Sequence, residues 1–332
     1  MRRSFYLLAF TIPIAVFTSF YLKGIWSYFA IFYAFAFLPS LELLLPQLSS
    51  NLSLEEEDKC KKDRFFDLII WSMVPIQLFL LFYFCHLISA HPLTSLEFIG
   101  LISAMGLSCG VLGINVAHEL GHRNNLPEQV MAKMLLSTSL YWHFNIEHNK
   151  GHHKNASTPF DPETSRLNES LYAFWYRSIK DSFISAFKID PKEMILAICL
   201  ESVLCLALYL VFGAEALFGF MISALIGVIL LESVNYIEHY GLVRKEIAPN
   251  RFERVQPYHS WNADYILSRA VLFDLSRHSD HHANVNRKYQ ILRHHEESPQ
   301  MPTGYPGMIL LSLVPPLWFK VMNKKITELK FR

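Results

Sequence analysis

Paired cysteines are missing from this chain. Its five cysteines, Cys60, Cys85, Cys109, Cys199 and Cys205, form no CxxC, and four of them lie in apolar runs where they pack as small hydrophobes. That excludes a disulfide framework and any iron–sulfur or rubredoxin-type site of the chain's own. Flavin and haem motifs are absent too, so a redox reaction here needs electrons from another protein. Charge is scarce: 18% of the 332 residues are Asp, Glu, Lys or Arg, and with a net charge of +1 no nucleic-acid partner is expected. No internal repeat or low-complexity tract is present. After Met1-Arg2-Arg3 no small-residue cleavage site follows, so the first apolar run is expected to be retained.

What the chain has in excess is hydrophobic length. It is 52% apolar, and six runs approach or meet the ~20 residues that cross a hydrocarbon core. They are 5–22, 25–46, 66–88, 95–115, 194–212 and 216–236, which predicts six transmembrane helices in an all-α, single-domain membrane protein spanning 1–332. Lys23-Gly24, 89–94 and 213–215 are short hairpin connections, whereas 47–65, 116–193 and 237–332 are long and polar. Of the 30 Lys and Arg, only Lys23 falls on the hairpin side. The positive-inside tendency therefore places both termini and all long segments in the cytoplasm. The ends of the fourth and sixth spans then emerge together, and the segments 116–193 and 237–332 can build one cytoplasmic cap. Within it, 128–144 and 168–188 are predicted helical, and Asp161-Pro162-Glu163 reads as an N-cap with proline at the first helical position. The run 308–322, interrupted by Pro315-Pro316, is predicted as an interfacial or packed helix.

Nine of the 15 histidines fall on that one membrane face. His118 and His122 are four apart, on one face of a helix. His148 and His152 repeat the spacing, with His153 beside them. His278, His281 and His282 form a third group, and His239 stands alone in Asn235-Tyr236-Ile237-Glu238-His239-Tyr240-Gly241. Taken singly, each is best explained by packing. Three i, i+4 pairs and a fourth position on one side of a membrane point instead to metal. Imidazole suits zinc, copper, iron and nickel alike. Nine donors exceed the four of a single zinc and suffice for two metals, and two iron ions fit best because zinc has no redox chemistry. Glu119, Glu147, Glu238 and Asp280 adjoin these histidines and are candidates to accept their outer N–H groups; solvated helix ends would look the same. His118-Glu119-Leu120-Gly121-His122 also satisfies HExxH, the zinc metalloprotease motif, but that reading leaves seven clustered histidines unused.

HELGH at 118–122, EHNKGHH at 147–153 and RHSDHH at 277–282 resemble the three histidine boxes of the fatty-acid desaturase and hydroxylase superfamily. NYIEHYG at 235–241 is similar to the fourth motif of its bacterial membrane-bound alkane 1-monooxygenases, and the likeness extends to Thr158-Pro159-Phe160-Asp161-Pro162, His259-Ser260-Trp261-Asn262 and Pro302-Thr303-Gly304-Tyr305-Pro306-Gly307. It covers the chain from about residue 38 onward. Two departures, Ser276 where glutamine is frequent and Arg123 where lysine is, touch no expected ligand.

The resemblance implies an enzyme of the bacterial inner membrane that uses dioxygen, two irons and two electrons to hydroxylate the terminal carbon of an alkane drawn from the bilayer. Fatty-acyl hydroxylation or desaturation is the nearest alternative. It also implies a separate rubredoxin, served by a rubredoxin reductase, as donor; Arg123, Lys150, Lys154, Arg287 and Lys288 are candidates for docking it. His143 and His259 could support the metal ligands or simply pack; His86, His91, His294 and His295 read as structural. Gly106 and Gly110 predict close helix packing. Ala30 and Ala34 open a groove in an otherwise aromatic second span, where a neighbouring helix could pack or where Ala34 could border a substrate tunnel admitting long chains.

Overall fold

The structure, a computed structural model, describes residues 2–330. Its hydrophobic runs form five helices long and apolar enough to cross a membrane: Arg3–Leu22, Gly24–Glu42, Arg64–Ala90, Ser95–Gly121 and Pro191–His239. The last is broken at Gly213, where φ is +85°, a backbone conformation that glycine adopts without a Cβ penalty. Between 195 and 211 it exposes Ile195, Val203, Leu210 and Val211, the last two by 71% and 72%. Long helices with apolar side chains facing outward are the signature of a membrane protein.

Local chemistry sets the helix starts. Thr94 Oγ1 accepts from the Glu97 amide while the Glu97 side chain accepts from the Thr94 amide, a reciprocal cap at 3.3 and 3.0 Å. Ser53 and Glu56 repeat it before Leu54–Lys62. Asp190 caps Glu193 at 3.1 Å with Pro191 following, which starts the long helix. Two spans then approach closely through small residues. A Cβ on Gly106 would lie 2.5 Å from Ile226, and one on Gly227 would lie 2.6 Å from Cys109. The predicted packing role of Gly106 and Gly110 therefore holds, since Gly110 also meets Leu230.

Four expectations need correction. The second span ends at Glu42 rather than at 46, and 43–46 turns away. The predicted helix 128–144 is two, Leu126–Ser137 and His143–Glu147, separated by a turn in which Leu140 has φ +50°. Asp161-Pro162-Glu163 caps no helix: the segment 161–168 is turns and bends, and the next helix, Leu171–Ile189, is capped by Ser170. The predicted run 308–322 breaks into Tyr305–Ser312 and Pro315–Lys330, because prolines start a helix more readily than they continue one.

Candidate metal centre

The fourth long helix runs on to Gly121, so His118 lies within it and His122 at its C-cap. His239 ends the helix that starts at Pro191. Between these two ends lie the short helix His278–Ala283 and the segment 143–155, whose middle, His148–His152, is π-helical. All nine imidazoles converge through Nε2 into two groups. His118, His122, His148, His153 and His281 form one; His152, His239, His278 and His282 form the other.

The distances decide what holds each group together. His153 Nε2 lies 3.2 Å from His122 Nε2, 3.0 Å from His148 Nε2 and 3.2 Å from His281 Nε2. An imidazole nitrogen carries either one hydrogen or one lone pair, so it cannot satisfy three such neighbours by hydrogen bonding. Lone pairs aimed at one point require a cation there. With metal–nitrogen bonds of ~2.1 Å, neighbouring donors stand about 3 Å apart, and the second group matches as well: His152 to His282 is 3.2 Å and His278 to His239 is 3.1 Å. The residues present therefore fit a metal ion in each group.

The π turn explains the partition. His148 and His152, paired by the sequence spacing, belong to different groups, and His148 instead joins His153. A turn closed from i to i+5 accommodates one more residue than an α turn, which carries the fifth residue back towards the face of the first.

Electrostatics keep most of these rings ready to ligate. Burial holds the His122 imidazole down at about 3, with His152 and Arg123 adding to the effect. It also pushes His148, His153, His278, His281 and His282 well below the ordinary histidine value, helped by their mutual repulsion. Neutral imidazole is the form that binds metal. His152 differs: burial pulls it down, but the Asp161 charge and hydrogen bond raise it above the usual value.

Of the carboxylates singled out by adjacency, three are engaged elsewhere. Glu119 Oε1 accepts from Arg123 Nη2 at 2.6 Å and from the Tyr289 amide at 3.3 Å. Asp280 accepts from His295, Asn284 and the Arg293 amide. Glu147 accepts from Ser185 at 3.3 Å. Among the described hydrogen bonds, none of the three meets a clustered imidazole. Glu238 does come near, with Oε2 3.3 Å from His278 Nε2. The residue that holds an outer nitrogen is Asp161, whose Oδ2 lies 2.9 Å from His152 Nδ1; Glu163 Oε2 follows at 3.6 Å from His148 Nδ1 and 3.7 Å from His152 Nδ1. Both lie in Asp161-Pro162-Glu163, whose composition resembles a helix start and so carries no signal of contact with histidine. Arg277, which opens the third box, is fully buried and ties Asp264 to the carbonyls of Leu48, Ser50 and Leu292. His259 faces Glu253, and His143 packs between Tyr141 and Phe183, so neither joins a group.

The fatty acid desaturase family model matches residues 94–312, which contain all nine histidines. The chain is 35% identical over 338 residues to alkane 1-monooxygenase 2 of Alcanivorax borkumensis, covering 96% of this chain and 88% of that one. The chain belongs to the alkane 1-monooxygenase family. Further members are the alkane 1-monooxygenases of Ectopseudomonas oleovorans, 37% identical over 88% of this chain and 76% of the relative, and of Acinetobacter baylyi, 34% identical over 88% and 74%. As a family member it is an enzyme of the oxidoreductase class, and the HExxH protease reading fails on geometry as well. His118 and His122 share their group with three further imidazoles, and the Arg123 guanidinium occupies Glu119, the would-be general base.

Two depressions of different character mark the surface, and the polar one reaches the histidines. One is apolar, walled by Ala34, Leu107, Leu231, Leu275, Tyr305 and Ile309 among others. The other is polar and open, with Lys154, Arg244, Arg254 and Arg287 on its walls together with His153 and His282. Of the basic residues proposed for docking, Arg123 is buried against Glu119 and Asp67, and Lys288 is paired with Asp67 at 2.9 Å. Lys150 is paired with Asp190, and Arg287, on the wall of the open cleft, with Asp280 at 3.5 Å and Glu57 at 3.7 Å, whereas Lys154 lines that cleft.

Proposed function

We propose that this protein is a non-haem di-iron monooxygenase of the bacterial inner membrane that hydroxylates the terminal carbon of n-alkanes to 1-alkanols. The observation that carries this reading is the convergence of nine imidazoles into two groups, in a chain that also holds an apolar cavity. The names of its relatives supply the substrate class. On this reading all nine histidines are ligands, one iron lies in each group, and the long helix broken at Gly213 crosses twice, giving six spans under a cytoplasmic cap in a single domain. Iron supplies the two-electron activation of dioxygen that no side chain here can perform.

The chain's own residues do the rest. Apolar walls at Ala34, Leu231 and Leu275 admit an alkyl chain from the bilayer and keep water from the reacting carbon. Ala34, 5% exposed in that wall, is small where a bulky residue would close it, which suits chains beyond about a dozen carbons, roughly half of a ~30 Å hydrocarbon core. Asp161 orients His152 from behind. Lys154, on the cleft that reaches His153 and His282, suits an acidic rubredoxin recharged by its reductase, an attraction that salt weakens, while Arg287 on the same cleft is already paired with Asp280 and Glu57.

Purified protein should contain two irons per chain. With rubredoxin, its reductase and dioxygen it should convert octane and hexadecane to 1-octanol and 1-hexadecanol. Zinc in place of iron would overturn the reading, and an alkene or a hydroxylated fatty acyl product from the matching substrate would move it to the neighbouring chemistry.

A further inference from the structure

The wall of the apolar cavity is hydrocarbon at Ala34, Leu107, Leu230 and Leu231, yet four polar side chains also line it. Two of them are engaged: the Asn115 amide donates to the Leu272 carbonyl at 3.2 Å, and the Tyr305 hydroxyl to Glu238 Oε1 at 2.5 Å. The other two are Glu42 and Ser268. We propose that Glu42 and Ser268 form a binding site for the hydroxyl group of a primary alcohol, so that the cavity holds a 1-alkanol more tightly than the alkane of the same length. This inference rests on the proposed hydroxylation for the identity of the ligand, which is that reaction's own product.

Three observations carry it. The first is unused capacity. Glu42 is 3% exposed and Ser268 4%. Glu42 Oε1 accepts from the Ser268 backbone amide, whereas Glu42 Oε2 and Ser268 Oγ are buried with no hydrogen-bond partner among the described residues. Buried polar atoms left unpaired are costly, so a ligand that pairs with both relieves a penalty the chain otherwise bears. The second is complementarity. A carboxyl oxygen accepts and a serine hydroxyl donates; the O–H of an alcohol does both, and an alkane does neither.

The third is place. A Cβ on Gly304 would collide with Glu42 Oε2 and lie 2.8 Å from Ser268 Oγ, so both oxygens flank one spot on the chain. Gly304 has φ −65°, which any residue adopts, so the crowding rather than the backbone calls for glycine there. The next residue is Tyr305, and its partner Glu238 has Oε2 3.3 Å from His278 Nε2. The cavity wall at Tyr305 is therefore one side chain removed from the four-histidine group. An alkanol drawn back from the metals would set its hydroxyl between Glu42 and Ser268 while its alkyl chain stayed among Leu107, Leu230 and Leu231.

Equilibrium binding of 1-dodecanol, 1-methoxydodecane and dodecane to the full chain in lipid nanodiscs, corrected against protein-free nanodiscs, tests the site. Wild type should hold 1-dodecanol about tenfold more tightly than dodecane, with the ether, which accepts but cannot donate, in between. Ser268→Ala should lower the ratio of 1-dodecanol to dodecane affinity by about three- to tenfold, and Glu42→Leu should abolish the preference. Should Glu42→Leu not accumulate as folded protein, Ser268→Ala decides alone. Equal affinities in wild type, as a trapped water or a Ser268 hydroxyl turned onto Glu42 would give, would overturn the proposal. So would variants that weaken both ligands in the same proportion, the result expected if the pair only packs. Binding is read without turnover, so a chain that prefers 1-dodecanol but hydroxylates no alkane defeats the proposed function and leaves the site standing.

Discussion

The two histidine groups share two pieces of backbone, the segment 143–155 and the helix His278–Ala283, each adding the end of a different long helix, yet they differ in support. The five-histidine group takes both histidines of one span end, two from the segment 143–155 and His281. The four-histidine group takes one residue from that segment, the end of another span, and His278 with His282. The smaller group has the closer carboxylates: Asp161 behind His152 and Glu238 beside His278. Among the described ion pairs the larger group has Glu163, 3.6 Å from His148, which it shares with His152 of the smaller group at 3.7 Å. Donor number and outer support therefore vary in opposite senses, and a group with fewer donors depends more on each one.

The sharpest way to break this comparison is to remove one donor from each side. His239→Ala leaves three nitrogens and should remove about one iron per chain and lower alkane hydroxylation by more than ~100-fold. His281→Ala leaves four and should also abolish turnover while holding its iron more tenaciously, measured by iron analysis after dialysis against chelator. Equal loss from both would mean that the groups act as one cluster. Outer support comes next. Asp161→Asn should cost roughly 10- to 100-fold in metal affinity or activity, whereas Glu119→Gln, whose partner is Arg123, should leave chelator kinetics close to wild type. If Glu119→Gln is the worse of the two, sequence adjacency was the better guide.

Ala34→Trp leaves both groups untouched, so iron content and octane turnover should stay near wild type while the longest alkane converted becomes shorter by several carbons. Equal loss at every chain length would show that Ala34 only packs helices. The smallest expected effect lies outside both groups. Burial holds the His143 imidazole down at about 4, so it is neutral when folded and takes up a proton on unfolding below its ordinary value of ~6.5. The unfolded chain then binds more protons, and stability falls as pH drops from about 6.5 towards 4, by an amount on the order of 3 kcal/mol. Thermal melts of His143→Phe should be flatter across that window; a parallel pH dependence would assign the loss to other groups.

Much of the architecture was legible because hydrophobic runs and caps are local signals. The long helices lie where apolar length put them, and the nine histidines stood out by number and spacing. Boundaries slipped where tertiary contacts intervene, as at Leu140 and at Asp161-Pro162-Glu163, whose cap-like composition belongs to a loop held against His152. Basic residues were legible as cations but not as partners: Arg123 is buried in an ion-pair network, while Lys154 faces the open cleft.

By itself, then, the sequence determined the membrane-length helices, the metal-binding chemistry and the family, since each rests on residue type at short spacing. Only the tertiary structure decided which imidazole belongs to which group and which carboxylate stands behind it. The reason is physical. His118 and His281 meet across 163 residues, and His152 and His282 across 130. A π turn, invisible in composition, separates His148 from its i+4 neighbour and gives it to His153.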